Sequence, residues 1–338
     1  MTLQKASLTE SLETAAAPGK LAPETIDGGI DLGCRSFGKD FVLTPELEAL
    51  STRALRYLNA NIPVHFRGLA GCGKTALALF LGNEIGRTVY FLNGDATRTT
   101  DNLIGRETGV KTRQVIDRYV HSVQKLEHET SINWQADVLT KAALGGGTLI
   151  YDEFTRSPAE ANNALLSVLE EGIIVLPASA GKGSFAQVHP DFRIIFTSNS
   201  AEYAGVQAAQ DALIDRMITL DLDDLSAETE VAIVIHRTEL HPDEALKIVS
   251  LVRDFRRSGA FTQSPSMRAS LLIAQIAAHN DLPVSADDQA FVDLVFDVLL
   301  SKGIRPAERD GQDKLKSALF GLINAHCGPN LTMKKKRA

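Results

Sequence analysis

Cysteine is scarce in this chain of 338 residues: Cys34, Cys72 and Cys327 lie far apart and form no C-x-x-C pair. Three scattered thiols supply neither a disulfide framework nor a zinc site, and they point to a reducing compartment. Long hydrophobic runs are missing too, since none approaches the about 18 residues of a membrane span. The opening stretch MTLQKASLTESLETAAAPGK lacks the apolar centre of a signal peptide. A cytosolic protein without a membrane span is therefore expected. An excess of basic residues is also absent. The formal net charge is -7, which argues against a general nucleic-acid binder or motor. The short run Lys334-Lys335-Lys336-Arg337 reads as a solvated terminus. His65, His121, His128 and His189 show no metal-ligand spacing, and no Ser-His-Asp arrangement is visible.

What is present is a regular alternation of secondary-structure signals. Residues 1–40 lack periodicity and read as a flexible tail. Thr44-Pro45 then opens a helix over about 45–60, with Leu47, Leu50, Ala54, Leu55 and Leu58 at helical spacing. Ile62–Phe66, Thr88–Leu92, Thr148–Tyr151 and Ile194–Thr197 are short apolar runs of strand type, and Ala76–Gly82 reads as a helix between the first two. Strands alternating with helices predict a parallel sheet covered by helices. From about 225 the pattern turns helical: Ala227–His236, Pro242–Arg256, Ser266–His279 and Asp287–Ser301 carry no strand signal. The expected fold is α/β, a parallel sheet sandwiched by helices, with a smaller all-helical lid. The expected organisation is a tail at 1–40, the sheet domain at 41–222, the lid at 223–328 and a basic tail at 329–338.

Two excursions interrupt the core. Gly105–Asn133 places Val115, Tyr119, Val123 and Leu126 on one helical stripe and is expected to be a helical excursion, with Tyr119 and Trp134 packing a helical segment. Gly172–His189 reads as a β-hairpin with a Gly-rich tip. Either could touch a protein partner.

The strongest chemical signal is Gly68-Leu69-Ala70-Gly71-Cys72-Gly73-Lys74-Thr75, which fits G-x-x-x-x-G-K-[ST] between a strand and a helix. Its glycines let the backbone curl around an anion, and the exposed N–H groups and helix N-terminus bind phosphate. Lys74 is expected at the β- and γ-phosphates of ATP, and the Thr75 hydroxyl on magnesium. The strand Thr148–Tyr151 carries Asp152 and Glu153 to its C-terminal end, where open α/β sheets bind ligands. Asp152 is expected to help hold Mg²⁺, and Glu153 to act as general base on the attacking water. Asn199, ending the run Arg193–Asn199, is expected to help orient that water. Cys72 lies at a helix N-terminus, an environment that can lower a thiol pKa, and its alkylation is expected to block ATP binding and ATP to protect it. Arg216 and Arg268 read as ordinary salt-bridge partners on composition alone.

With these motifs in order, the sequence resembles the MoxR-type branch of AAA+ ATPases. The residues concerned are the phosphate loop, Tyr151-Asp152-Glu153-Phe154, Thr197-Ser198-Asn199 and Asp215-Arg216-Met217. IYDEFTRSPAEANNALLSVLEE (Ile150–Glu171), Pro63–Gly68, Arg53–Leu58, Val188–Arg193 and Glu202–Val206 are similar to the gas vesicle protein N family in particular. The resemblance implies that Lys74 and Thr75 belong to Walker A, Asp152 and Glu153 to Walker B, and Asn199 to sensor 1. It implies an arginine finger at Arg216 and sensor 2 at Arg268. It further implies a ring, typically a hexamer, with ATP between subunits, and gas vesicle shell and accessory proteins as partners. The function implied is ATP-driven assembly or growth of gas vesicles. A MoxR-type chaperone for a metalloenzyme or carboxylase, and a nucleotide-switched structural vesicle component, are the alternatives.

Overall fold

The computed structural model describes residues 25–26, 29–31, 41–120, 123–177, 185–199, 208–222, 225–258, 265–300 and 309–328. Its centre is a parallel sheet of five strands: β3 (Val64–Gly68), β4 (Val89–Asn93), β7 (Thr148–Asp152), β10 (Arg193–Asn199) and β11 (Ile218–Asp221). Their lateral order is β4-β7-β10-β3-β11. Alternation along these strands sorts side chains to two faces, because successive residues of a strand point opposite ways. Leu149, Tyr151, Ile194 and Phe196 join one buried cluster with Phe154, Leu139 and Leu165. Ile150, Ile195 and Phe66 join another, with Leu58, Leu77 and Leu81 from the helices α1 (Pro45–Asn59) and α2 (Lys74–Glu84). The α1 start follows its sequence signals: Pro45 occupies the first turn and Thr44 Oγ1 accepts from Leu47 N at 3.5 Å.

Within the stretch expected to be a tail, β1 (Thr25–Ile26) and β2 (Gly29–Asp31) pair antiparallel, and β2 continues antiparallel onto β4. The rest of 1–40 and the basic run 334–337 lie outside the described residues.

A clear correction falls at 105–136. Instead of a helical excursion the chain forms an antiparallel hairpin, β5 (Gly105–Val120) with β6 (Val123–Ala136), paired from Gly105↔Ala136 to Val120↔Val123 with register shifts between Glu107 and Gly109 and between Asp117 and Val120. The sequence explains the outcome. Thr108, Val110, Thr112, Val115, Ile116, Val120, Val123, Thr130 and Ile132 are β-branched. Such side chains lose rotamer freedom in a helix and suit a pleated strand. Trp134 thus sits in a strand and packs on the buried cluster that includes residues of α3 (Asp101–Ile104) and α4 (Val138–Gly145). The second excursion is a hairpin as expected, β8 (Ile173–Val175) with β9 (Phe185–Gln187), its tip outside the described residues.

Between β7 and β8 the chain makes a 3-10 turn at Phe154–Arg156 and two short helices, α5 (Ala159–Asn162) and α6 (Ala164–Glu170). The helix α7 (Ala208–Ile214) precedes β11. Beyond β11 the elements are helical: α8 (Ala227–Thr238), α9 (Pro242–Arg257), α10 (Met267–His279), α11 (Gln289–Leu300) and α12 (Arg309–Cys327). Ile248, Val252, Phe255, Ile273, Phe291, Val295 and Leu319 form their own buried core.

Candidate active site

The parallel register brings the C-terminal tips of four strands to one edge. Gly68 of β3 stands beside Asn199 of β10, and Asp152 of β7 beside Asn93 of β4. The phosphate loop follows β3 and enters α2 through Gly73, whose φ of 96° is a left-handed conformation that glycine adopts at little cost. The loop is pressed on its neighbours. A Cβ on Gly68 would lie 2.1 Å from Leu222 O, and one on Gly71 would lie 2.4 Å from Ser266 Oγ. The second contact ties the loop to the start of α10.

Lys74 is buried, and its Nζ donates to Gly68 O at 2.9 Å and to Leu69 O at 2.7 Å. The ammonium is thus held at the loop it would share with a phosphate. Thr75 Oγ1 donates to Asp152 Oδ1 at 2.8 Å. Thr197 Oγ1 donates to the same oxygen at 2.5 Å and accepts from Glu153 N at 2.9 Å. One hydroxyl therefore links the two acidic residues. In the sequence Thr197 is only one member of a motif whose polar end, Asn199, takes the expected role. No pattern in the sequence marks Thr197, since only the fold brings it against Asp152.

Glu153 leaves the strand with φ 51°, a left-handed conformation uncommon for a side chain larger than glycine. Its carboxylate meets the Arg156 guanidinium at 2.7 Å across the 3-10 turn. That turn is anchored beneath by Tyr151, whose hydroxyl donates to Ser157 Oγ at 2.7 Å and whose burial pushes its pKa to about 12. Under the loop, His65 bridges β10 and β11 through Ser198 Oγ at 2.8 Å and Thr219 Oγ1 at 3.0 Å. Burial, aided by the nearby Arg67 charge, lowers its pKa to about 4, so the ring is neutral near pH 7.

The phosphate loop and the tips of β7 and β10 line a cavity of about 340 Å³. Gly71 to Thr75, Asp152, Glu153 and Thr197 form its polar wall, while Phe41, Val42, Leu47, Leu225, Ile233, Met267 and Leu271 form an apolar one. Arg268 of α10 lines it, and so does Arg237 of α8, which sequence reasoning missed because nothing around it forms a motif. Asn199 stands beside Gly68 in the sheet but outside the cavity lining. Arg216 is not brought to the cavity. It precedes β11, at the strand edge opposite the loop, where it pairs with Glu170 at 2.6 Å and donates to Ala212 O. Cys72 departs from expectation: burial raises its thiol pKa despite Lys74 nearby.

The residues of the site suit a magnesium nucleotide. One carboxylate oxygen and one hydroxyl already converge at Thr75 and Asp152, the sparse protein ligation that Mg²⁺ accepts when phosphates and water complete its shell.

Residues 63–217 match the family model "AAA domain (dynein-related subfamily)". The chain is 45% identical over 301 residues to "Gas vesicle ATPase GvpN" of Ancylobacter aquaticus, covering 88% of this chain and 84% of that protein. It is 39% identical over 285 residues to the Haloferax mediterranei protein of the same name, covering 83% of this chain and 80% of the relative. "Protein CbbQ" of Hydrogenophilus thermoluteolus, a MoxR-type relative, is 23% identical over 191 residues, covering 56% and 64%.

Proposed function

The chain belongs to the gas vesicle protein N family of MoxR-type AAA+ ATPases, and on that premise we propose that it uses ATP hydrolysis to drive assembly or growth of gas vesicles. The observation that carries the catalytic part is the hydrogen-bonded chain Thr75–Asp152–Thr197–Glu153 at the mouth of the phosphate loop.

In this reading Gly68–Thr75 wraps the phosphates, and Lys74 exchanges its loop carbonyls for β- and γ-phosphate oxygens. Thr75 and Asp152 would hold Mg²⁺, whose positive charge offsets that of the phosphates. Glu153, oriented by Thr197 and Arg156, takes the proton of a water. The water oxygen bonds to the γ-phosphorus as the bond to the β–γ bridging oxygen breaks, leaving ADP and phosphate. Asn199 orients that water, and Arg268 contacts the phosphates from the lid. Arg216 lies away from its own cavity and acts on a neighbour's nucleotide in a ring.

The work done is remodelling or delivery of shell proteins. Subunits with large apolar surfaces aggregate when released freely, so their delivery calls for a machine that binds and lets go in turn. No helix among the described residues is long and apolar enough to cross a membrane, and action in the cytoplasm at the growing vesicle fits this reading. The test is a vesicle-forming strain carrying Glu153→Gln, with expression checked by blot. Absent or small immature vesicles are expected by electron microscopy and buoyancy. Full-sized vesicles would show hydrolysis to be dispensable and would favour a nucleotide-switched structural component.

A further inference from the structure

The lid holds a buried ionic cluster that nucleotide binding does not touch directly. Glu230 of α8 is 1% exposed, and its Oε1 accepts from Arg253 at 2.8 Å and from Arg256 at 3.0 Å, both on α9. Arg256 is itself 9% exposed. Such a cluster is not needed to fasten α8 to α9, since Val234, Ile248, Val249 and Val252 already do so. Replacing buried ion pairs by apolar residues is often neutral or stabilising, so holding the helices together is a poor reason for this one.

The remaining donors give a better reason. Arg253 donates to Leu225 O at 2.6 Å, and Arg256 Nε donates to Pro265 O at 2.7 Å. Both carbonyls lie on segments that carry the lid to the nucleotide. Leu225 lines the cavity itself. Pro265 leads into Ser266, which rests on Gly71 of the phosphate loop, and Arg268 follows at the cavity wall. A guanidinium is a rigid planar fork. Two of them sharing one buried carboxylate fix two backbone carbonyls relative to each other. We propose that Glu230, with Arg253 and Arg256, is a positioning clamp that sets Arg268 over the phosphate loop, an inference resting on Arg268 acting on bound nucleotide.

The test is a double-mutant cycle on the full-length protein with Mg-ATP, using kcat and KM for wild type, Glu230→Gln, Arg268→Ala and the pair. Circular dichroism confirms folding at the assay temperature. Glu230→Gln keeps the volume and removes the charge, and a misplaced arginine is expected to lower kcat/KM about tenfold. In the Arg268→Ala background the same change should add less than about twofold, because the group it positions is gone. Should Glu230→Gln fail to fold, Arg256→Lys keeps the charge, loses the fork and serves in the same cycle. Effects that multiply in the double variant, or an unchanged kcat/KM in the single one, would overturn the clamp. Wild-type kinetics for Arg268→Ala would instead remove the assigned role of Arg268, and the clamp with it.

Discussion

At the scale of single residues, the chemistry is legible wherever a motif fixes both residue type and spacing. Lys74, Thr75, Asp152 and Glu153 are readable from the sequence and stand at one cavity. Thr197 and Arg237 are not, because a hydroxyl two residues from a strand end and a lone arginine on a helix carry no pattern until the fold places them. Cys72 misleads because a linear motif shows the helix N-terminus but not the burial that opposes ionisation. His65 shows the same opposition in a measurable form. Its folded pKa of about 4 lies below the ordinary value of 6.5. As pH falls through 6.5 the unfolded chain takes up a proton that the folded one refuses, so stability is lost between about pH 6.5 and 4 and is unaffected above. The full shift corresponds to about 3 kcal/mol. Thermal melts of wild type are expected to drop more steeply over that window than those of His65→Gln. Parallel pH slopes would mean that His65 titrates normally.

At the scale of elements, the parallel strands and most helices follow apolar runs and caps that the sequence displays. The hairpin β5–β6 does not, because Val115, Tyr119, Val123 and Leu126, spaced four, four and three apart, fit a helical stripe, whereas the β-branched content favours strands. Close approaches between elements are equally invisible in the sequence. Gly94, just past β4, donates to Asp152 O at 2.7 Å, and a Cβ there would fall 2.0 Å from Glu153 O. That atom is backbone and cannot rotate away. Gly94→Ala should therefore push the Glu153 turn aside, costing about 2 kcal/mol by overpacking and lowering turnover. At Gly321 in α12 an added Cβ would meet nothing within 4 Å. There the same substitution is expected to stabilise by about 0.5–1 kcal/mol, since alanine favours the helix. Melting midpoints and steady-state ATPase rates of the two variants give the comparison, and equal shifts of the same sign would contradict it.

At the scale of the whole molecule, the expected site residues fall at two ends of the sheet. The phosphate loop, Asp152, Glu153 and Arg268 share one cavity, yet Arg216 lies at the opposite strand edge, held by Glu170. That pair is partly exposed, at 30% and 58%, and exposed pairs are worth about 0–1 kcal/mol. A neighbour's γ-phosphate could therefore take the guanidinium from Glu170 at small cost. Losing such an arginine typically slows hydrolysis on the order of 10³-fold. Arg216→Ala is thus expected to bind ATP normally and to hydrolyse it very slowly. Lys74→Ala should fail to bind ATP while keeping its own Arg216. Mixing the two should restore part of the activity, because a Lys74→Ala subunit can lend its arginine to an Arg216→Ala neighbour that holds ATP. Restored turnover should rise with the share of mixed contacts and vanish on dilution below the assembly concentration. Silence in mixtures shown by light scattering and affinity pull-down to co-assemble would place Arg216 outside the neighbour's site, and its pairing with Glu170 would then stand as a structural contact alone.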